Sequence, residues 1–166
     1  MHIALILAAA AAMNDPQIAT VALTAHQIDI DRGKFALKHT KNEEVKQVAK
    51  QMVDDHTAGK NEAVALATKL GVKPEESDTT KSLKGGAAKS MKKLRHEKGA
   101  AFDKDYIDTE VGYHTAVIDA VKNGLIPGAQ NAELKTLLQN VVPTLEGHLQ
   151  HAKMVQAQLS PAAAPK

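Results

Sequence analysis

The segment that decides the fold is VKQVAKQMVDDH, residues 45–56. Val45, Ala49 and Met52 recur at spacings of three and four residues, which is typical of an α-helix with one apolar face. His56 follows Met52 by four residues and falls close to the middle of that face. The segment therefore predicts a helix that points an imidazole into the protein core.

The same period continues on both sides of this segment and predicts four long helices. A capping box, Thr40 with Glu43, opens the second helix, and Asn123-Gly124 with Pro127 ends the third. No stretch has the period-2 alternation that is typical of a β-strand. The predicted helices cover about residues 15–37, 40–70, 100–122 and 131–159.

The connection between the second and third helices is the longest one, from Val72 to about Gly99, and it suits a crossover between two helical hairpins. A weak apolar stripe predicts a short amphipathic helix within it. Such a helix rests on an anionic membrane surface or on an acidic partner, or it exposes a solvated face over the rest of the protein. We therefore predict an all-α four-helix bundle with a basic crossover. The basic residues of the crossover are Lys81, Lys84, Lys89, Lys92, Lys93, Arg95 and Lys98.

The two ends of the chain differ from its middle, so we divide it into 1–13, 14–159 and 160–166. Ile3 to Ala12 is an apolar run, too short for the roughly 20 residues that span a bilayer. Ala10 and Ala12 give it the A-x-A pattern of a signal peptide, although no Lys or Arg precedes it. We expect an exported protein, periplasmic or envelope-associated, the alternative being a helical extension. The final Pro/Ala segment is predicted to be disordered.

Composition excludes several classes of protein. The 166 residues carry 21 basic and 19 acidic side chains, and aromatic residues make up 2%, so a nucleic-acid-binding groove is not expected. Cys is absent, which excludes disulfides, thiolate zinc sites and iron–sulfur clusters. We expect no nucleic-acid partner. We expect a weak contact between the basic crossover and an anionic membrane, and the sequence leaves open whether the chain forms a homo-oligomer.

Each predicted helix places an ionisable side chain at the centre of its apolar face. A buried charge without a partner costs several kcal/mol, so these groups must pair with one another or with a metal. They also lie at matching depths and could meet in one layer of an antiparallel bundle. The residues are Asp29 with Arg32 close by, His56, Glu110, His114 and His148, with His151 on the flank.

Two interpretations of this cluster stay open. In the first, a transition metal ion (zinc, copper, iron or manganese) binds to His56, His114 and His148, with Glu110 or Asp29 as the carboxylate. His151 is a further candidate ligand, and sulfur from Met52 or Met154 would favour copper. In the second, the cluster is a polar network in a structural or stress-associated envelope module without metal. An enzyme is the least favoured class, since no catalytic triad, phosphate loop or dinucleotide motif is present.

Three strings of residues resemble family 4142 of the domains of unknown function. They are Asp29–Ala36 with Val45–His56, Phe102-Asp-Lys-Asp-Tyr106 with His114, and Pro143-Thr-Leu-Glu-Gly-His148. The resemblance covers about residues 15–159 and implies a ferritin-like bundle in an exported bacterial protein of the periplasm or outer membrane. It implies no activity. The chain lacks the two Glu-x-x-His pairs of a di-iron ferritin-like site, which argues against a di-iron oxidase.

Overall fold

The computed structural model describes residues 13–160, and the predicted all-α class is confirmed, since no strand occurs in that range. The predicted signal-like segment, 1–13, and the predicted Pro/Ala tail, 160–166, lie outside the described part except for Met13 and Ser160. The helices are α1 (Asp15–His39), α2 (Glu43–Lys69), α3 (Asp78–Leu94), α4 (Gly99–Ala120), α5 (Ile126–Gly128) and α6 (Ala132–Leu159). Helix α3 is the one predicted in the basic crossover.

The four long helices pack in a closed ring. Helix α1 lies against α2, α2 against α6, α6 against α4 and α4 against α1, while α3 packs on both α1 and α4. The approach of α1 to α2 depends on Gly33, because a Cβ there would come within 2.9 Å of the Ala49 carbonyl oxygen and of Val53 Cγ2. A larger residue at this position would push the two helices apart.

The helix starts differ slightly from the predicted ones. The sequence Asp15-Pro16 predicts Asp15 as the cap of α1, but the cap is Asn14. Asn42 caps α2 by accepting from the backbone N–H groups of Glu44 and Val45. The predicted capping box at Thr40 is wrong, because Thr40 is the residue that ends α1. Asp15 instead accepts from the backbone N–H groups at the start of α6 and ties the two helix ends together.

The predicted end of the third helix at Asn123-Gly124 is also wrong. The chain widens there into a π-helical turn, Val121–Leu125, and continues directly into α5. Gly124 is buried within that turn, so it permits close packing and does not cap a helix. Pro127 stands in the first turn of α5, directly after the π turn.

Two apolar clusters fill the core. We call them the first and second clusters. The first takes residues from the start of α1 and α6 and the end of α4, including Ile18, Val117, Val121, Leu134, Leu138 and Leu145. The second takes residues from the end of α1 and α6 and the start of α2 and α4, including Ala36, Val48, Met52, Phe102, Ile107 and Val155. On α1, α4 and α6, a short stretch of chain separates the two.

Helix α3 shows an exposed basic face, as the crossover pattern predicts. Lys81, Lys84 and Lys93 pair there with the acidic residues Asp78, Glu76 and Asp105. Among the described residues, no helix is both long and apolar enough to cross a membrane. A contact of this face with anionic lipid stays a prediction.

Candidate metal centre

A polar layer lies between the two apolar clusters. Its six side chains are each at most 3% exposed, so the layer is sealed from solvent almost completely. All four long helices contribute to it, as the matching depths on the predicted helix faces indicated. The members are Asp29 and Arg32 from α1, His56 from α2, Glu110 and His114 from α4, and His148 from α6.

Arg32 bridges the two carboxylates of the layer. One guanidinium nitrogen lies 3.1 Å from Asp29 Oδ1 and 3.2 Å from Glu110 Oε1, and the group stacks over the Tyr113 ring at 4.6 Å. Burial opposes the charged guanidinium, but Glu110 and Asp29 outweigh it and raise the pKa of Arg32 above its ordinary value. Burial and the neighbouring Glu110 carboxylate raise the pKa of Asp29 well above its usual range, against a smaller lowering by Arg32.

The three buried imidazoles face one another. The ring centroids of His56, His114 and His148 are separated by 5.1 to 5.6 Å. One ligand atom from each of the three lies within 4.8 Å of the other two, and the same holds for a second group formed by Asp29, Glu110 and His114. His114 belongs to both groups. The side chains proposed as ligands from the sequence are therefore neighbours, His151 excepted.

Hydrogen bonds fix the orientation of two of these rings. His114 Nδ1 lies 3.1 Å from the Glu110 carbonyl oxygen, and His148 Nε2 lies 2.8 Å from Asp55 Oδ2. Both oxygens accept, so each facing ring nitrogen carries the proton and the other ring nitrogen keeps its lone pair. A histidine whose second nitrogen is held by a carbonyl or carboxylate is the usual arrangement around a protein-bound metal.

His56 has a different partner, the fourth imidazole of the site. Its Nδ1 lies 3.0 Å from Nδ1 of His26 on α1, and one of the two rings donates to the other. On the other side, His56 Nε2 lies 3.4 Å from Asp29 Oδ2, beyond a good hydrogen bond. His56 therefore connects the half-buried His26 to the carboxylates at the centre of the layer.

Each of the three rings keeps a buried nitrogen that has no hydrogen-bond partner within residues 13–160. These are His56 Nε2, His114 Nε2 and His148 Nδ1, and one oxygen of Glu110, Oε2, is unpartnered as well. A buried polar atom left without a partner costs about 1–3 kcal/mol. Three such nitrogens and a carboxylate oxygen in one layer are the set of donor atoms that a metal ion would use.

Burial keeps three of the imidazoles, those of His26, His56 and His114, neutral. It lowers the pKa of His114 to about 4, although the Glu110 carboxylate acts in the opposite direction. Burial and the neighbouring imidazoles lower the pKa of His56 to about 2, and burial with His148 lowers that of His26 to about 4. Neutral rings have lone pairs free for a metal at neutral pH.

Three other residues singled out from the sequence lie away from the centre. His151 is half-buried and its Nδ1 lies 2.7 Å from Gln51 Oε1, outside both groups of converging ligand atoms. Met52 packs in the second apolar cluster, and Met154 is 53% exposed. The converging donors are therefore nitrogen and oxygen atoms.

His26 is the residue of the site that the sequence reasoning missed. It precedes Asp29 by three residues and follows Ala22 by four, so the period of α1 already places it on the inward face. From the sequence alone, Asp55, the neighbour of His56, could orient that ring or lie outside the site. It instead accepts from His148 on the facing helix α6, a pairing that no sequence spacing could reveal.

Comparisons with known proteins agree with this helical architecture. The model of the family described as "Domain of unknown function (DUF4142)" matches residues 5–155, and the chain belongs to that family. No curated protein matches the chain significantly. A crystal structure from Streptomyces coelicolor, of a protein described as a secreted DUF305 protein, superimposes with a TM-score of 0.74 at 16% identity. The match covers 90% of this chain and 96% of the other, and it establishes a shared fold.

Proposed function

We propose that this member of the DUF4142 family is an exported protein with a ferritin-like four-helix bundle that binds one divalent transition metal ion in its polar layer. The ligands are His56, His114 and His148, completed by a carboxylate from Glu110 or Asp29. The single observation that supports it best is the convergence of three buried imidazoles, each of which keeps one ring nitrogen without a hydrogen-bond partner within residues 13–160.

The groups that hold the far side of two of the rings support the same proposal. Asp55 and the Glu110 carbonyl oxygen hold the far nitrogens of His148 and His114, so each ring turns its lone pair away from these partners. Tetrahedral zinc with bonds of 2.0–2.1 Å requires ligand atoms about 3.3 Å apart. The present separations reach up to 4.8 Å, so we expect the rings to move inward by about 1 Å when the ion binds.

The charges of the layer also favour a cation. The Asp29 and Glu110 carboxylates share the single Arg32 guanidinium, and burial and the Glu110 carboxylate raise the pKa of Asp29, so a second negative charge is unfavourable there. A divalent ion would balance that second charge in a dry environment, where an unbalanced charge is expensive. Imidazole and carboxylate donors suit zinc, copper(II), iron and manganese, and the absence of sulfur donors disfavours copper(I).

Equilibrium dialysis of the metal-stripped chain against each of the four metals tests this proposal. We expect one tightly bound equivalent in the parent protein. His148→Leu removes one ligand and is expected to lose this binding, because the remaining two imidazoles cannot complete the centre. His96→Gln, at an exposed histidine far along the chain from the layer, is the matched control and should bind as the parent does.

Two results would overturn the metal proposal. One is a parent protein that takes up none of the four ions stoichiometrically. The other is binding that survives unchanged in His148→Leu but falls in His96→Gln, since that would locate the ion at the surface.

The second candidate function is a structural envelope module whose polar layer is a self-contained network. The ion pairs of Arg32 with Asp29 and Glu110 favour it, because they neutralise part of the buried charge without any metal. On this hypothesis His114→Ala lowers the melting temperature by the same amount with and without added zinc. A difference that depends on zinc decides for the metal centre.

Export is supported by the apolar sequence at residues 3–12 and by the shared fold with a protein described as secreted. The intact mass of the protein recovered from a bacterial periplasmic extract tests it. Cleavage after Ala12 would remove residues 1–12 and leave Met13 as the first residue. A chain that stays in the cytoplasm with residues 1–12 attached would refute export.

A further inference from the structure

A cleft opens from the surface to the polar layer between α1, α2 and α6. Its volume is about 330 Å³, and the walls of its inner end include His56 and His148. The side chains of His56 and His148 are at most 3% exposed, so they have little contact with solvent outside this cleft. The side chains that line the cleft differ in character with depth, from exposed acidic and polar groups to imidazoles.

The polar side chains of the cleft suit a cation. Glu62 is exposed, Asp55 has 41% of its side chain exposed, and both belong to α2. His26 lies half-buried in the same cleft, between these acids and the buried rings. Carboxylates at the outside and imidazoles further in form a series of ligands of increasing strength for a first-row metal ion.

The position of His26 is built into the packing of α1 against α2. A Cβ at Gly59 would lie 2.6 Å from His26 Cε1, so the absence of a side chain at Gly59 provides the space for this ring. Glycine inside a helix is less favourable than alanine, so the space is obtained at a loss of stability. The ring placed in it touches His56 through the two Nδ1 atoms, 3.0 Å apart.

We infer that this cleft is the route by which a divalent metal ion reaches the polar layer, and that His26 is a transient ligand that takes up the ion in the cleft before it moves on to the layer. The inference rests on the proposed metal centre. A transient ligand lowers the barrier for uptake and for release alike and leaves the equilibrium affinity unchanged. It predicts that loss of His26 slows both directions together.

Stopped-flow mixing of the metal-stripped full chain with Co²⁺, followed by the visible absorbance of the bound ion, tests the inference. In His26→Gln the amide can still hydrogen-bond His56, but it is a much weaker metal ligand than imidazole. We expect uptake and chelator-induced release to slow by the same factor, about tenfold or more, which corresponds to a barrier higher by about 1.4 kcal/mol. The equilibrium dissociation constant should equal that of the parent.

A second variant keeps the His26 imidazole and fills the space that the ring occupies. Gly59→Ala is expected to displace the His26 ring and to slow uptake as His26→Gln does. Gly85→Ala on α3 is the matched control, because a Cβ there meets nothing within 4 Å. This control should take up Co²⁺ at the parent rate. The comparison then separates a general effect of an added methyl group on a helix from the effect on His26.

The outcomes separate this inference from the metal centre itself. Binding of Co²⁺ at the parent rate in both His26→Gln and Gly59→Ala overturns the route through His26 and leaves the metal centre standing. A weaker equilibrium affinity with unchanged uptake also overturns it, because His26 would then act by positioning His56. A parent protein that binds no Co²⁺, Zn²⁺, Cu²⁺, Fe²⁺ or Mn²⁺ overturns both proposals.

Discussion

The second apolar cluster and the polar layer lie next to each other in the same core, yet burial has opposite effects on stability in the two regions. In the cluster, the side chains of Phe102 and Ile107 are fully buried, and apolar contact stabilises them there. In the layer, burial of the same completeness leaves three imidazole nitrogens and a carboxylate oxygen unpartnered. The cluster stabilises the fold, whereas the layer costs stability, which is typical of a site retained for function.

Acidification should separate the two regions most strongly. The folded pKa values of His26, His56 and His114 lie below the ordinary 6.5, so the unfolded chain binds more protons than the folded one. Stability is therefore fully present above pH 6.5 and falls as the pH drops towards the folded values. Each ring contributes about 1.4 kcal/mol for every pH unit in that window.

Asp29 acts in the opposite direction. Because its pKa is raised in the folded state, the folded chain binds a proton at Asp29 before the unfolded chain does, and acidification stabilises the fold through this group. This gain offsets the loss of stability from only one of the three rings. Melting curves of the metal-free chain from pH 8 to 5 provide the measurement. His114→Gln should lose part of the slope. A parent that becomes more stable on acidification, by more than this variant does, would contradict the account. The ionisable groups around the rings are Arg32, Asp55, Lys60, Glu110 and His148.

Arg32→Met should produce the next largest change. It removes the guanidinium and leaves the Asp29 and Glu110 carboxylates facing each other in the core, which is expected to cost about 3–5 kcal/mol of unfolding free energy. Urea denaturation measures it. Zinc should restore more stability to this variant than to the parent, because the ion then supplies the missing positive charge. Equal stabilisation of both proteins by zinc would argue that the ion binds elsewhere.

His148→Leu should change stability in the other direction. It replaces an imidazole with an unpartnered buried Nδ1 by an apolar side chain of similar size, and Asp55 can turn to solvent. We expect the metal-free chain to gain about 1–3 kcal/mol of unfolding free energy, the usual cost of an unsatisfied buried group. A clear loss of stability in urea titrations would mean that the layer is a satisfied network after all.

Ile107→Val gives the smallest expected effect and calibrates the others. It removes one methyl group from the second apolar cluster and should lower the unfolding free energy by about 0.5–1.5 kcal/mol. The loss should be the same with and without zinc and at every pH from 8 to 5. A zinc-dependent loss would show that the cluster and the layer are coupled, and the comparison would fail.

Helical periodicity located most of the polar layer, because it reports which side chains share a face. Asp29, His56, Glu110, His114 and His148 were all identified in this way, and all are buried. Contacts between helices were out of reach, since they depend on rotation and register. The pairs His148–Asp55 and His26–His56 join residues on different helices, and no pattern within one helix encodes them.

The ends of the helices were harder to predict than their faces. The signal at Asn123-Gly124 is a common helix stop, but burial of Gly124 and Leu125 against the first cluster keeps the chain helical through the π turn. Tertiary packing overrode local preference there. At Thr40 a good capping residue lies two positions before the actual cap, Asn42, so two equivalent signals competed within a few residues.

The most direct test of the central claim is a crystal of the full chain soaked in Zn²⁺, with anomalous diffraction recorded at the zinc absorption edge. The account predicts one strong peak in the polar layer, about 2.0–2.1 Å from ring nitrogens of His56, His114 and His148, with a carboxylate oxygen as a further ligand. Peaks confined to exposed histidines such as His96, with the three rings still unpartnered or bridged by water, would contradict it.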